Sequence, residues 1–424
     1  MDHVRSYYAA TAHPTPPRPP LRGEVTADVC VVGAGIAGCS TALHLAERGY
    51  KVVVLEGRRV GWGASGRSGG QAIFGYAASQ DKLVAQVGRD HARRLFDLSV
   101  AAVADLRERV ARHAIDCDLH WGQLHVAIKP RHATELRAWQ EELATGHGYD
   151  SLRWLELAEL RELIASERYI GGLLDSRSGH LHPLNYTLGL AAAAEAAGAT
   201  FHDESLVTGI DHGAVATVRT ASGSVRARHV ALCCNAYIDE TISSRLRARI
   251  MPVGTYIVAT EPLGERRRRE IMRENLAVTD INWVLDYFRC SADHRLLFGG
   301  RVSYSGLNPA TTHDATRARM LKVFPQLADV AIEYAWGGYV DITMSRAPDF
   351  GRLAPNVLYL QGFSGHGIAL TGLAGRLVAE AIAGQAERFD LFAALKHRDF
   401  PGGPALRMPA LVLAMLWFRL KDLL

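Results

Sequence analysis

The chain lacks most of what would mark it as secreted, metal-binding or nucleic-acid-binding. Its 424 residues include only six cysteines (Cys30, Cys39, Cys117, Cys233, Cys234, Cys290), none in a CxxC or CxxH spacing, and the adjacent pair Cys233-Cys234 is badly placed to bridge. Neither a disulfide framework nor a zinc site is expected, and His180 and His182, with no further ligand cluster, read as loop structure. Net charge is weak, +4, with lysine and arginine scattered, so no nucleic acid partner is called for. The densest basic run, "GERRRREIMREN" (264–275), is interleaved with Glu and reads as a solvated helix face. The opening "MDHVRSYYAATAHPTPPRPP" holds no apolar run able to act as a signal h-region, which points to the cytoplasm, and "PTPPRPP" reads as a stiff arm. No transmembrane span is expected. The last segment, "MPALVLAMLWFRLKDLL" (408–424), is apolar for about eleven residues and then charged, too short to cross a bilayer. It is expected to dock on the protein's own core, with contact to a membrane surface as the alternative.

What the sequence has is glycine, 40 residues of it, in a chain that is 48% apolar and 22% charged. The length favours two domains sharing an interface. "DVCVV" (28–32) is a β-prone apolar run, followed at once by "GAGIAG" and by a helix-period stretch that Gly49 stops; "KVVVLE" (51–56) is a second buried strand. In this β-α-β unit Gly33, Gly35, Ile36, Ala37 and Gly38 form the fingerprint whose glycines allow a tight turn, close approach of a pyrophosphate and close strand-helix packing. Glu56 ends the second strand, where a carboxylate can accept hydrogen bonds from both hydroxyls of an adenosine ribose.

NAD and FAD share that fingerprint, and a second bare loop decides between them. "WGASGRSGGQ" (62–71) follows soon after the acid, as an extended FAD requires for its ribityl chain and ring; Ser65, Gly66, Gly70 and Gln71 are the candidate contacts. "GFSGHG" (362–367) again follows a strand and opens a helix. Its Gly365, His366 and Gly367 could meet the flavin N1–C2=O end, where the positive helix terminus suits a reduced, anionic ring. His366 either tunes that charge or is a structural hydrogen-bonder.

The fold class expected is α/β with an α+β second domain. The segments 24–85, 175–240 and 336–390 are assigned to a Rossmann-like FAD-binding domain. The segments 86–174 and 241–335 are assigned to a substrate domain with an antiparallel or mixed sheet; 1–23 is an arm and 391–424 a C-terminal segment. A long amphipathic helix (89–115), a strand (119–128), helices at 131–144 and 156–164, and a hairpin turning at Ser222-Gly223 are predicted along the way.

"DVCVVGAGIAG", "VVVLE", "GWGASGRSGGQ", "GHLHPLN", "DYFRCSADHRLLFGG", "TMSRAPDFGRL" and "LQGFSGHGIALTGLAGRLVAE", in this order, resemble the FAD-dependent amine and amino-acid oxidases of the D-amino-acid oxidase class, over nearly the whole chain. The resemblance implies an FAD domain built from separated segments and a sheet covering the flavin face. It implies that Val207 meets adenine with its backbone and that Tyr287 reaches the active site. Sarcosine-oxidase-like members carry a flavin-linking cysteine where this sequence has Gly338, so dissociable, non-covalent FAD is expected. Glycine-oxidase-like members grip an α-carboxylate with an arginine where Tyr339 or Val340 stands here, which implies a primary amine at the end of a polyamine chain as the small-molecule substrate, with dioxygen as acceptor. Arg289 and Arg346 contact a distal carboxylate or form ion pairs. Two other readings are an amine or amino-acid dehydrogenase of the same fold, passing electrons to a quinone or carrier, and a flavin-bound protein that turns over nothing.

Overall fold

The computed structural model describes the backbone of residues 2–303, 309–402 and 409, and the side chains of the same residues except 301–312. The apolar segment at 408–424 therefore falls almost wholly outside the described residues.

Two sheets organise the chain. At the centre of the first lies the strand Gly23–Val32, paired in parallel with Val52–Leu55 on one side and Gly223–Leu232 on the other. Thr200–His202 and Val357–Gln361 extend it, also in parallel, and Asp349–Ala354 closes one edge antiparallel. Strand residues alternate between its faces. Val29, Val31, Val52 and Val54 pack under the helices, whereas Cys30, Val32, Val53 and Leu55 pack on the other side with the hairpin strands Val207–Asp211 and Ala216–Thr220. Both faces are covered, which is why these strands read as unbroken apolar runs. Ile36–Ala46 packs between the helices Pro183–Ala196 and Gly367–Ile382, and Ser40 donates to the Gly372 carbonyl at 2.6 Å.

The second sheet has nine strands, running Ile332–Thr343, Ile250–Thr260, Leu296–Ser303, Tyr287–Cys290, Ala277–Asp280, His120–Ala127, Gly171–His180 and Gln71–Ala72, with Leu152–Leu155 beside Gly171–His180. It is antiparallel except where Ala277–Asp280 meets His120–Ala127. The chain is thus mixed α/β, a parallel Rossmann-like layer joined to a largely antiparallel one.

Two assignments shift. Residues 175–180 belong to the strand Gly171–His180 of the second sheet, which pairs with His120–Ala127 along most of its length and with Gln71–Ala72 at its end. The helix Arg89–Arg112, expected in the substrate domain, packs on Gly367–Ile382 of the first. The helix Gly264–Ile271 is solvated as expected, with Arg267 paired to Asp329 and Arg269 to Glu265. All six cysteines are free thiols.

Candidate functional site

Four parallel strands of the first sheet end at one edge, and each delivers a loop there, the usual place for a ligand in such a sheet. Gly23–Val32 leads into Gly33, Gly35 and Gly38; Val52–Leu55 into Glu56; Gly223–Leu232 into Cys233, Cys234 and Asn235; Val357–Gln361 into Gly362 to Gly367.

The first loop has no room for side chains. A Cβ on Gly38 would stand 1.9 Å from the Gly33 carbonyl oxygen, and one on Gly35 would stand 2.8 Å from Ser65 Oγ. Ile36 and Ala37 open the helix there, so its N-terminal amides and positive end lie against the edge. Glu56 accepts from the amides of Ala34 and Arg58, each at 2.8 Å. Burial pushes its carboxyl up, against the pull of those two bonds. The Ser205 amide donates to the Glu56 carbonyl at 2.8 Å, which brings Val207 alongside.

The second loop ties the sheets together. Ala64–Gly66 makes a short turn, and Ser65 Oγ accepts the Ile36 amide at 3.0 Å. Gln71 starts the strand Gln71–Ala72, and its Nε2 donates to Thr279 Oγ1 at 3.0 Å in the second sheet. Thr279 also takes a bond from Gln123 Nε2 at 3.1 Å. Gly338, on Ile332–Thr343, faces this loop: a Cβ there would meet the Arg67 Cβ at 3.2 Å.

The third loop is held from beneath by Asp341, which accepts the amides of Gly362 and, at 3.2 Å, Phe363. Burial raises the Asp341 carboxyl to about 7. His366, between Gly365 and Gly367, is lowered to about 4 by burial, with the charges of Arg346 and His125 adding. Its ring is neutral at physiological pH. Arg346 is half-buried at φ +66°, and among the described residues no carboxylate pairs with it; burial lowers its pKa.

Tyr287 fills space that two glycines leave open, since a Cβ on Gly69 or Gly299 would come within 2.7 or 2.2 Å of its ring. Arg289 differs from Arg346. Its N–H groups are directed at the Gly69, Cys290 and Leu181 carbonyls, Tyr8 Oη and His180 Nδ1. The structure thus brings His366 and Arg346 together, sets Tyr287 beside the second loop, and commits Arg289 to neutral protein acceptors. His180 bonds the Asn275 carbonyl, and His182 Nδ1 caps Pro183–Ala196 by accepting the Asn185 amide. Among the described residues no group of three His, Cys, Asp or Glu could hold a metal, and no single helix is long and apolar enough to cross a membrane.

Sequence reasoning missed Asp341, Asn235, Gln123 and His125. The one usable signal was an acid inside the strand-like "YVDIT".

These residues fit a flavin dinucleotide. Beside the glycine cradle, Arg67 Nη2, Ser68 Oγ, Asn235 Oδ1 and His366 Nδ1 are buried without a hydrogen-bond partner, all on loops at this edge. Buried polar groups are rarely left so, and an elongated ligand rich in donors and acceptors would satisfy them.

Comparisons with known proteins agree. The family model "DAO: FAD dependent oxidoreductase" matches residues 28–381. The chain is 44% identical over 421 residues to the gamma-glutamylputrescine oxidoreductase of Escherichia coli (strain K12), covering 99% of each. It is 42% identical to a probable oxidoreductase, OrdL, of Haemophilus influenzae, covering 100% of this chain and 98% of that one. Glycine oxidase from Geobacillus kaustophilus shares the fold, with TM-score 0.74 at 22% identity over 88% of this chain and all of that one.

Proposed function

The chain belongs to the DAO family of FAD-dependent oxidoreductases, and on that premise we propose that it oxidises the terminal primary amine of γ-glutamylputrescine. Two-electron oxidation gives the imine, which water hydrolyses to γ-glutamyl-γ-aminobutyraldehyde and ammonia, while dioxygen takes the two electrons and two protons to become hydrogen peroxide, a step of putrescine breakdown. The observation that carries the substrate is the end-to-end likeness to the E. coli gamma-glutamylputrescine oxidoreductase. It is supported by Tyr339 and Val340 on the strand Ile332–Thr343, where an α-carboxylate clamp would need arginine.

When bound, FAD supplies the two-electron oxidation of the carbon beside the amine nitrogen. Gly33, Gly35, Ile36, Ala37 and Gly38 would hold its pyrophosphate, with Glu56 and Val207 toward the adenosine end and Ser65, Gly66, Gly70 and Gln71 along the extended part. Gly365, His366 and Gly367 would present a neutral ring and a helix N-terminus to the flavin. Glycine at 338 offers no nucleophile, so FAD is held without a covalent bond. Tyr287 walls the substrate space, and Arg346, the half-buried arginine without a carboxylate, takes the glutamyl carboxylate at the far end of the substrate. Six free thiols suit the reducing cytoplasm.

The test is oxidation of γ-glutamylputrescine, putrescine, sarcosine and D-alanine with peroxide detection. Turnover of the first alone, with stoichiometric peroxide, supports the reading. Turnover confined to amino acids overturns the substrate, and substrate loss without peroxide overturns the acceptor.

A further inference from the structure

The N-terminal helix Tyr7–Ala10 is small, yet its two tyrosines are buried at 3% and 0% exposure. Ser6 caps it by accepting the Ala9 amide at 3.1 Å, and Thr11 closes it by donating to the Tyr7 carbonyl at 2.8 Å. Because His182 Nδ1 accepts the Asn185 amide, its Nε2 carries the proton and donates to Thr11 Oγ1 at 3.1 Å. The helix is thereby fixed to the start of Pro183–Ala196. The Tyr8 ring lies edge-on to His182 and Trp336, with centroids 4.9 and 5.2 Å apart, and Trp336 Nε1 donates to the Arg67 carbonyl at 2.9 Å.

Tyr8 Oη accepts from Arg289 Nη2 at 3.2 Å. The same guanidinium holds the Gly69 carbonyl at 3.0 Å and the Leu181 carbonyl at 2.9 Å, and no carboxylate among the described residues pairs with it. A buried cation with no carboxylate in direct contact, Asp118 acting on it only at longer range, depends on its neutral acceptors, so each of them helps fix its position. Displacing Arg289 would take the donor from the Gly69 carbonyl, and the Tyr287 ring rests on Gly69, where a Cβ would stand 2.7 Å from it. Gly70 is equally constrained: its carbonyl accepts the Leu181 amide at 2.9 Å.

We infer that Tyr8 is a positioning residue for the flavin site, acting through Arg289 on the backbone of Gly69 and Gly70 and on Tyr287. The N-terminal helix is then a wedge between the two sheets that sets the second glycine loop in its ligand-binding shape. The inference rests on this loop's contact with the flavin and not on the identity of the amine.

The experiment compares holoenzymes of Tyr8→Phe, Tyr7→Phe and the wild type by the rate at which FAD fluorescence appears on dilution and by the fine structure of the bound-flavin absorption band. Tyr7 supplies a matched control, since it buries a similar ring but makes no bond to Arg289. Tyr8→Phe is expected to release flavin at least about tenfold faster, with a blurred absorption shoulder, because a hydrogen bond to a buried charge is removed. Tyr7→Phe is expected to match the wild type, and an equal acceleration in both variants would reduce Tyr8 to ordinary core packing. Unchanged release and spectrum in Tyr8→Phe would overturn the inference outright. Substrate specificity plays no part in either readout, so these outcomes stand apart from success or failure of the amine-oxidase reading.

Discussion

Ser65 Oγ accepts the Ile36 amide at 3.0 Å, so two glycine loops that lie apart in sequence meet through one hydrogen bond at the first turn of a helix. That contact is what a side chain at position 35 would disturb: a Cβ there would stand 2.8 Å from the same oxygen and push Ser65 off the Ile36 amide. Gly35→Ala is expected to yield a protein with far less bound flavin, read from the ratio of visible to 280 nm absorbance. Ser65→Ala, which leaves one helix-terminal amide without its acceptor, is expected to cost about 1 kcal/mol of stability and to retain flavin more weakly. Wild-type flavin content in Gly35→Ala would contradict this arrangement.

Arg346 should act on binding rather than on chemistry. Arg346→Gln is expected to raise KM for γ-glutamylputrescine about 10- to 100-fold, the range for one charge-assisted contact, with kcat little changed. Amines that lack the glutamyl carboxylate should be insensitive to the change. A drop in kcat at constant KM would instead place Arg346 at the reacting end.

Stability should depend on pH through Asp341. Its carboxyl sits at about 7 in the folded protein and near the ordinary 3.8 when unfolded, so the folded state holds the extra proton between those values. The contribution of Asp341 is then greatest at the acid end of that window and declines as pH rises through it, whereas His366 and the other histidines that burial lowers to about 3 or 4 act in the opposite direction below 6.5. Asp280, also raised to about 7 by burial and by Asp286, contributes in the same direction as Asp341. Relative to the wild type, Asp341→Asn is expected to remove a decline of about 2 to 3 kcal/mol between pH 5 and pH 8, measured by urea unfolding at both. Because Asp341 holds the Gly362 and Phe363 amides, the variant also tests the support under the third loop.

Glycine at 338 predicts flavin that dissociates. Acid precipitation of the holoenzyme should leave all the yellow colour in the supernatant, whereas colour retained in the pellet would mean a covalent bond elsewhere.

The β-α-β unit was legible because its constraints are local: the glycines of "GAGIAG" and the apolar runs beside them allow few other structures. The glycine-rich second and third loops were legible for the same reason. What was not legible was non-local. The amphipathic pattern of Arg89–Arg112 marks which face is buried but not that Gly367–Ile382 covers it. The pairing of Gln71 with His180 joins segments more than a hundred residues apart, and no local preference announces it. Arginine side chains carry the same ambiguity. Arg289 and Arg346 look alike in sequence and neither pairs with a carboxylate among the described residues; only the carbonyl groups gathered around Arg289 mark it as the structural cation.

The most direct test of the whole account is the visible spectrum of the purified protein under anaerobic conditions, before and after γ-glutamylputrescine is added. The account predicts an oxidised flavin spectrum that bleaches with this compound and not with putrescine, sarcosine or D-alanine, and that returns with peroxide when air is admitted. A flavin that bleaches only with an amino acid would contradict the substrate, and a protein that binds no flavin would contradict the site built on Gly33, Glu56 and Gly365.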